Sequence, residues 1–271
     1  MLKFYRMSSV FRRAAFTFLT FCGLTYARQS SPEQIHQLFR KLWPQNTGRE
    51  LHKCGEYLIP QNIGPIDAVF SPGVGLNSDF ELYFAKQNVP CFMADASVDG
   101  PSANNSKFFF LKKYIGNKTY DNFISLEDWI DESYPEGMNG ILQMDIEGAE
   151  YQALLSLPCN KLTRFKLIVM EVHHLNFLTS QEGFALGSIF FNYLLRDFTV
   201  VHFHANNFLR PVKFKGLMFP ADIEITLLRK DLIKHAQPVE KLPHSLDIKN
   251  NPKKRDHIFY SYFKEGVVAK Y

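Results

Sequence analysis

The sequence predicts an α/β fold with a mostly parallel β-sheet and helices on both faces of that sheet. Apolar segments of strand length alternate with helical patterns over most of the chain, which is typical of βαβ units. Several of these segments end abruptly in acidic or histidine residues, as strands do at the carboxyl edge of an open sheet. The last two, 198–204 and 223–228, leave no room for a full helix between them and should pair antiparallel. Five βα units followed by this pair give seven strands.

Caps, turns and apolar segments predict the individual elements in order. The lead-in 29–62 is expected to be helical, with Ser31 and Pro32 at a helix start. Further strands are predicted at 66–70, 90–94, 107–115, 140–144 and 166–172. Further helices are predicted at about 79–87, at 125–130 after a Ser125 cap, at 149–157 and within 182–195. The polar, proline-containing segment 231–257 is interpreted as a surface excursion.

Composition and charge narrow the class of protein. A length of 271 residues with 46% hydrophobic residues and 26 Phe suits one large α/β domain with an aromatic core. The net charge is only +4, and the basic residues are scattered, so nucleic acid is not the expected partner. The four cysteines lie far apart without a CxxC pair, which argues against a zinc site or a disulfide framework.

The N-terminus has a pattern of its own. Four basic residues, Lys3, Arg6, Arg12 and Arg13, precede the apolar segment 14–27. This segment is too short to span a bilayer comfortably, but it fits the hydrophobic region of a signal peptide. The alternative is a basic amphipathic helix on a membrane or on the domain itself. We expect a cytoplasmic protein, with membrane-associated or secretory localisation through residues 1–27 as the alternative.

A glycine-containing turn, 71–77, follows the first strand of the sheet. Gly73 and Gly75 allow tight backbone geometry and close approach of a ligand. Asp95 ends the next strand, 22 residues after Gly73, where an acid can accept hydrogen bonds from ribose hydroxyls. By themselves these features also suit an NAD-dependent dehydrogenase, and the turn alone is a weak signal.

Three further strand ends carry polar side chains. Asp145 directly continues an apolar strand and should point into the crevice at the sheet edge, whereas Glu147 and Glu150 are expected only to start the following helix. Glu171 and His173 end the next strand, and a Glu–His pair facing a carboxylate suits proton abstraction. The segment 202–207 again brings polar groups to a strand end.

Together these motifs resemble the FkbM-type family of S-adenosylmethionine-dependent methyltransferases. The resemblance covers roughly residues 51–230, and its motifs appear in the family's order. The motifs are GEYLIP at 55–60, the turn 71–77, residues 92–95, LEDW at 126–129, LQMDIEGAE at 142–150, MEVHH at 170–174, HFHANN at 202–207 and residues 220–226. The family usually has an acid where this chain has Ser71, and often a pair of glycines where this chain has only Gly55. It implies a lead-in over 1–50, a methyltransferase domain over 51–230 and a polar C-terminal extension over 231–271.

The resemblance also implies a Rossmann-like class I methyltransferase fold and roles for several residues. S-adenosyl-L-methionine would be the cofactor, with Gly73, Gly75 and Asn77 at its methionine part and Asp95 at its ribose. Asp145 would lie near the positively charged sulfur.

The acceptor would be the hydroxyl of a sugar, a glycan or another small molecule. His173 would be the base, oriented by Glu171, while His204 and Asn206 would hold acceptor hydroxyls. The reaction is expected to need no metal. Two alternatives keep the fold: a Mg²⁺-assisted enzyme with Asp145, Glu147 and His173 as ligands, and a binding module without activity, suggested by Ser71.

Overall fold

A seven-stranded sheet forms the centre of the molecule, as the sequence predicts. The computed structural model describes residues 28–134, 137 and 139–256. The strands of the sheet are β1 (Ala68–Pro72), β2 (Cys91–Ala94), β3 (Phe108–Leu111), β4 (Gly140–Met144), β5 (Phe165–Val172), β6 (Phe198–Ala205) and β7 (Ile223–Arg229). Their order across the sheet is β6-β7-β5-β4-β1-β2-β3.

The strand directions confirm the predicted mixed sheet. Hydrogen-bonded pairs from β5 through β4 and β1 to β2 and β3 are all parallel. Strand β7 runs antiparallel to both of its neighbours, β5 and β6. The reversal of strand order between β1 and β4 opens a crevice at their carboxyl ends, which is where ligands bind in open α/β sheets.

The helices close separate cores on the two faces of the sheet. They are α1 (Pro32–Lys41), α2 (Asp79–Ala85), α3 (Leu126–Ser133), α4 (Glu150–Ser156), α5 (Cys159–Leu162) and α6 (Gln181–Asp197). Helices α1, α3, α4 and α6 pack with Phe70, Leu142 and Ile168 in one core, whereas α2 packs with Val69 and Ile141 in the other. Adjacent strand residues enter different cores because side chains alternate between the faces.

Local capping explains where several helices begin. Ser31 and Gln34 form a reciprocal capping box at the start of α1, and Pro32 occupies the first turn. The Ser125 hydroxyl accepts a hydrogen bond from the Asp128 N–H, which confirms the predicted cap of α3.

Two predicted elements were wrong. The segment 51–60 is not helical: Leu51–Cys54 and Tyr57–Pro60 form an antiparallel hairpin, and Gly55 in its two-residue turn has φ +58°. The predicted strand 107–115 ends at Leu111, and Tyr114–Gly116 pairs with Phe123–Ser125 in a separate small sheet. The strand ends where the consecutive lysines 112 and 113 begin, and as the edge strand it has a neighbour on one side only.

The chain beyond β7 returns to the main sheet. Asp247 accepts a hydrogen bond from His202 at 2.8 Å, and the Asn207 amide donates to the Asn251 carbonyl at 3.0 Å.

Within the described ranges no helix is both long and apolar enough to cross a membrane. The apolar segment 14–27, on which the signal or anchor prediction rests, lies outside the described residues.

Candidate active site

A row of polar residues crosses four adjacent strands at the edge of the sheet. Met144 on β4 pairs with Met170 on β5, so the next residues along, Asp145 and Glu171, are neighbours. Glu171 pairs with Glu224 on the antiparallel β7, and Glu224 pairs with His204 on β6. Residues paired in this way project to the same face of a sheet. The row lies on the face that α2 and the N-terminal hairpin cover.

His173 lies at the centre of this acidic group. Its Nδ1–H donates to Glu150 Oε1 at 3.1 Å, which leaves Nε2 facing the other carboxylates. Nε2 lies 3.7 Å from Asp145 Oδ1, 3.8 Å from Glu171 Oε1 and 3.8 Å from Glu147 Oε2. These three separations are too long for hydrogen bonds, so one ring nitrogen is fixed and the other faces the crevice.

The ionisable side chains in this group shift one another's pKa values. Burial opposes the charge of His173 and is the largest single influence, but the Glu150 hydrogen bond and the charges of Glu150, Glu171 and Asp145 together raise its pKa to about 9. Burial raises the pKa of Asp145 to about 6, and burial with the Asp145 charge raises that of Glu171 to about 8. The free site therefore holds a proton on the imidazole at neutral pH.

Glu150 organises the turn that follows β4. The same oxygen that binds His173 also accepts hydrogen bonds from the backbone N–H of Ile146 at 3.1 Å and of Gly148 at 3.2 Å. Glu147, in the same turn, has φ +54° and a largely exposed side chain. This backbone conformation costs of order 1–3 kcal/mol for a non-glycine residue. The buried carboxylate of Glu150 thus ties the turn to the histidine.

A cavity of about 560 Å³ opens over these residues. Its walls include His173 and Asn206 together with six acidic side chains, those of Glu56, Asp145, Glu147, Glu171, Asp222 and Glu224. Three largely exposed apolar side chains, Phe208, Leu209 and Ile248, lie at its surface. The cavity therefore has a strongly acidic wall and an apolar surface.

The glycine turn lies beside this cavity and has its own structural requirements. Gly73 has φ +82°, and a Cβ on it would lie 1.7 Å from the Asp145 carbonyl oxygen. The Gly75 N–H donates to Asp95 at 2.9 Å, and Asp95 also accepts from the Ser97 N–H and hydroxyl. Asp95 therefore holds the turn, and these hydrogen bonds leave it limited capacity to accept more.

The structure brings most of the predicted site residues together and changes some of their roles. Glu150, not Glu171, makes the hydrogen bond that orients His173. Glu171 instead accepts a hydrogen bond from the Asn206 side-chain amide, and Asn206 lines the cavity. The side chain of the remaining predicted cofactor residue, Asn77, accepts from the Asp79 N–H at 2.9 Å at the start of α2.

The prediction that His204 holds acceptor hydroxyls is wrong. Its side chain is 2% exposed, its Nδ1 pairs with Glu224 at 3.0 Å, and its Nε2 faces Asp256. A histidine engaged at both nitrogens and closed off from the cavity cannot contact an acceptor directly. It instead fixes Glu224, which was not among the predicted site residues and which lines the cavity.

Other residues that sequence reasoning missed come from segments outside the recognised strand ends. Tyr57, in the N-terminal hairpin, and Lys249 and Asn250, in the C-terminal segment, line the same cavity. Glu81 on α2 is buried and hydrogen-bonds the Ser71 hydroxyl. The only sequence signal for Glu81 was an acid in an otherwise apolar helix face.

One group of side chains in the described residues has the composition of a metal site. Asp145, Glu171 and His173 each offer a ligand atom, and these atoms lie within 4.8 Å of one another. The sequence-based alternative has Glu147 in place of Glu171; the Glu147 side chain is 89% exposed and is not part of this group.

Comparison with known protein families identifies the family of this chain. Residues 66–200, about half of the chain, match the family model of the methyltransferase FkbM domain. This range contains the glycine turn, Asp95, the turn after β4, and His173. No curated protein matches the chain significantly. Through this domain and its seven-stranded sheet, the chain belongs to the FkbM methyltransferase family.

Proposed function

We propose that this protein is an S-adenosylmethionine-dependent O-methyltransferase that acts on a neutral, polyhydroxylated acceptor such as a sugar or glycan. The observation that carries the proposal is the arrangement of His173 among Asp145 and Glu171 at one cavity, directly beside the glycine turn. The FkbM domain supports transfer of a methyl group.

The carboxylates at the site fit a positively charged cofactor. Asp145 Oδ1 is buried and has no hydrogen-bond partner among the described residues, so a cation beside it would relieve an unfavourable state. When bound, S-adenosylmethionine supplies a methyl group on a positively charged sulfur, and its transfer to a hydroxyl leaves a neutral thioether and releases the hydroxyl proton. Gly75 and Asp95 hold the turn over which the cofactor would lie.

His173 would accept that proton. Its imidazole is protonated in the free site, but a positive charge placed beside Asp145 would disfavour the imidazolium and lower the pKa of His173. Nε2 would then be free to take the hydroxyl proton, while Glu150 keeps the ring in place from the other side. A positioned base of this kind contributes typically ~10²–10⁴-fold to the rate.

The cavity chemistry favours a neutral acceptor. Its carboxylates can accept hydrogen bonds from hydroxyl groups, but they would repel a phosphate or a uronic acid. Exposed apolar groups such as Phe208 would cover the carbon face of a ring. A volume of about 560 Å³ is in the range of small-molecule sites.

Titration calorimetry with S-adenosylmethionine and S-adenosylhomocysteine tests the first part of the proposal. We expect micromolar binding of both; no binding of either at millimolar concentration would refute it. A screen with labelled methyl donor should then show transfer to neutral sugars and not to matched uronic acids. Cofactor binding without transfer to any acceptor would instead favour an inactive binding module.

A metal-assisted form of the same reaction is the second candidate. Two ligand atoms about 2.1 Å from one ion lie roughly 3.0–3.4 Å apart at octahedral or tetrahedral angles. The Nε2 separations from Asp145 and Glu171 are 3.7 and 3.8 Å, so a small inward movement of these side chains would bring them to that spacing. The hydrogen bond from His173 to Glu150 also matches the usual support of a metal-bound imidazole. Full activity after EDTA treatment would eliminate this candidate, whereas loss of activity that Mg²⁺ or Mn²⁺ restores would favour it.

A further inference from the structure

Glu81 is a buried carboxylate with one unused oxygen. Glu81 is only 2% exposed, and its Oε1 accepts a hydrogen bond from the Ser71 hydroxyl. Oε2 is also buried, and it has no hydrogen-bond partner among the described residues. A buried acceptor in this state is costly, because it has lost water without gaining a donor. Its presence therefore calls for an explanation.

The side chain borders a second, smaller cavity of about 70 Å³. This cavity lies between the glycine turn and the N-terminal hairpin, and its lining includes Tyr57, Gly73, Asn77, Glu81, Gln143 and Asp145. No Lys, Arg or His occurs among the described residues that line it, so it offers carboxylate, amide and hydroxyl groups without a fixed cation. It suits a small positively charged group.

The two cavities adjoin. Tyr57 and Asp145 line both the small cavity and the large acidic one. A ligand that fills the small cavity with one end therefore places its next atoms beside Asp145, at the edge of the space proposed for the acceptor.

We propose that Glu81 binds the α-ammonium group at the methionine end of S-adenosylmethionine. The inference rests on the proposed function and adds a cofactor-binding residue to it. The ammonium has three N–H donors and satisfies Oε2, while the Ser71 hydroxyl holds Oε1 of the carboxylate from the strand side. A volume of about 70 Å³ accepts this small group but excludes the adenosine part.

A purely structural role for Glu81 is the competing explanation. Burial raises the pKa of Glu81 to about 7, so a protonated carboxyl could serve only to order Ser71. In that case the Glu81→Gln substitution would change the affinities for ligands with and without an α-amino group to the same extent. The two explanations therefore predict different ligand dependence.

Calorimetry on the full chain at pH 8 with a Glu81→Gln variant separates them. Loss of a hydrogen bond between charged groups should weaken S-adenosylhomocysteine binding about 10- to 100-fold. Binding of methylthioadenosine, which lacks the α-amino group, should change less than about twofold. Asp79→Asn is the matched control, because Asp79 is an exposed acid on the same helix and lines neither cavity, and it should leave both affinities nearly unchanged.

A measurement on the unmodified protein keeps the test valid if Glu81→Gln does not fold. The deaminated analogue of S-adenosylhomocysteine should bind about 10- to 100-fold more weakly than S-adenosylhomocysteine itself. Equal binding of the two ligands, or unchanged S-adenosylhomocysteine affinity in a folded Glu81→Gln protein, would overturn the role of Glu81 and leave the proposed function standing. Failure of the unmodified protein to bind S-adenosylhomocysteine at all would overturn both.

Discussion

The carboxylate of Glu150 lies 3.1 Å from Nδ1 of His173 and also accepts two backbone N–H groups of the turn after β4. One buried side chain therefore sets both the orientation of the histidine and the path of the chain that carries Asp145. This relationship links two neighbouring strand ends, and it determines how the site responds to substitution.

Replacing Glu150 by Gln should lower the pKa of His173 from about 9 toward its ordinary value of 6.5, because the hydrogen bond and charge of Glu150 both favour the imidazolium. NMR titration of the imidazole nitrogens measures this directly. The control is Glu147→Gln, since Glu147 lies 3.8 Å from Nε2 with its side chain 89% exposed to solvent. Equal changes in the two variants would contradict the role given to Glu150.

One substitution should weaken cofactor binding, and another should slow the reaction without weakening that binding. Asp95→Ala removes the acceptor that holds the Gly75 N–H, so S-adenosylhomocysteine affinity should fall by at least about tenfold. His173→Ala should lower turnover by ~10²–10⁴-fold and leave that affinity within about twofold. Calorimetry and initial rates measure the two effects. Equal losses of affinity would mean that the roles are wrongly assigned.

His204 should make stability depend on pH. Burial opposes its charge and is the largest influence, but its hydrogen bond to Glu224 and the neighbouring acids raise its pKa to about 9, above the ordinary 6.5. The stabilisation from protonated His204 is therefore fully present below about pH 6.5 and disappears as the pH rises through about 9.

Urea unfolding of the protein and of His204→Gln at a series of pH values tests this. The difference in unfolding free energy should be largest near pH 6 and should shrink as the pH rises through 9. A difference that stays constant up to pH 10 would show that His204 is not charged in the folded protein.

The two glycines of the turn should tolerate alanine very differently. At Gly73 an added Cβ would lie 1.7 Å from a backbone oxygen, so Gly73→Ala should destabilise the fold by more than ~3 kcal/mol or prevent folding. Gly75 has φ +54° but nothing within 4 Å of an added Cβ, so its substitution should cost only about 1–2 kcal/mol. Chemical denaturation of both variants measures this, and similar losses would contradict it.

Much of the fold was predictable because the sheet strands carry their signals locally. The apolar segment 140–144 ends at Asp145 in the sequence, and the observed strand has those limits. The hairpin at 51–60 was missed because its strands are only four residues each and are stabilised by packing against α2. Short strands have little periodicity of their own, so their conformation depends on what covers them.

The site was predictable only in part. Residues at strand ends, such as Asp145 and His173, could be selected because parallel strands deliver their carboxyl ends to one edge. Glu224 could not, since it lies inside an antiparallel strand and reaches the cavity only through its register with Glu171. Ser71 stands where the family usually has an acid, and its hydroxyl contacts the carboxylate of Glu81. This contact between a strand and a helix could not be read from the sequence.

The sequence by itself determined the class of fold, the family and the strand ends at which the chemistry collects. Those properties follow from local patterns: apolar segments, caps, and polar residues directly after a strand. Only the tertiary structure decided that Glu150 orients His173, that His204 is closed off from the cavity, and that Glu81 keeps one carboxylate oxygen free. These facts depend on register, burial and contacts between distant segments, which are properties of the folded chain and not of any single stretch of it.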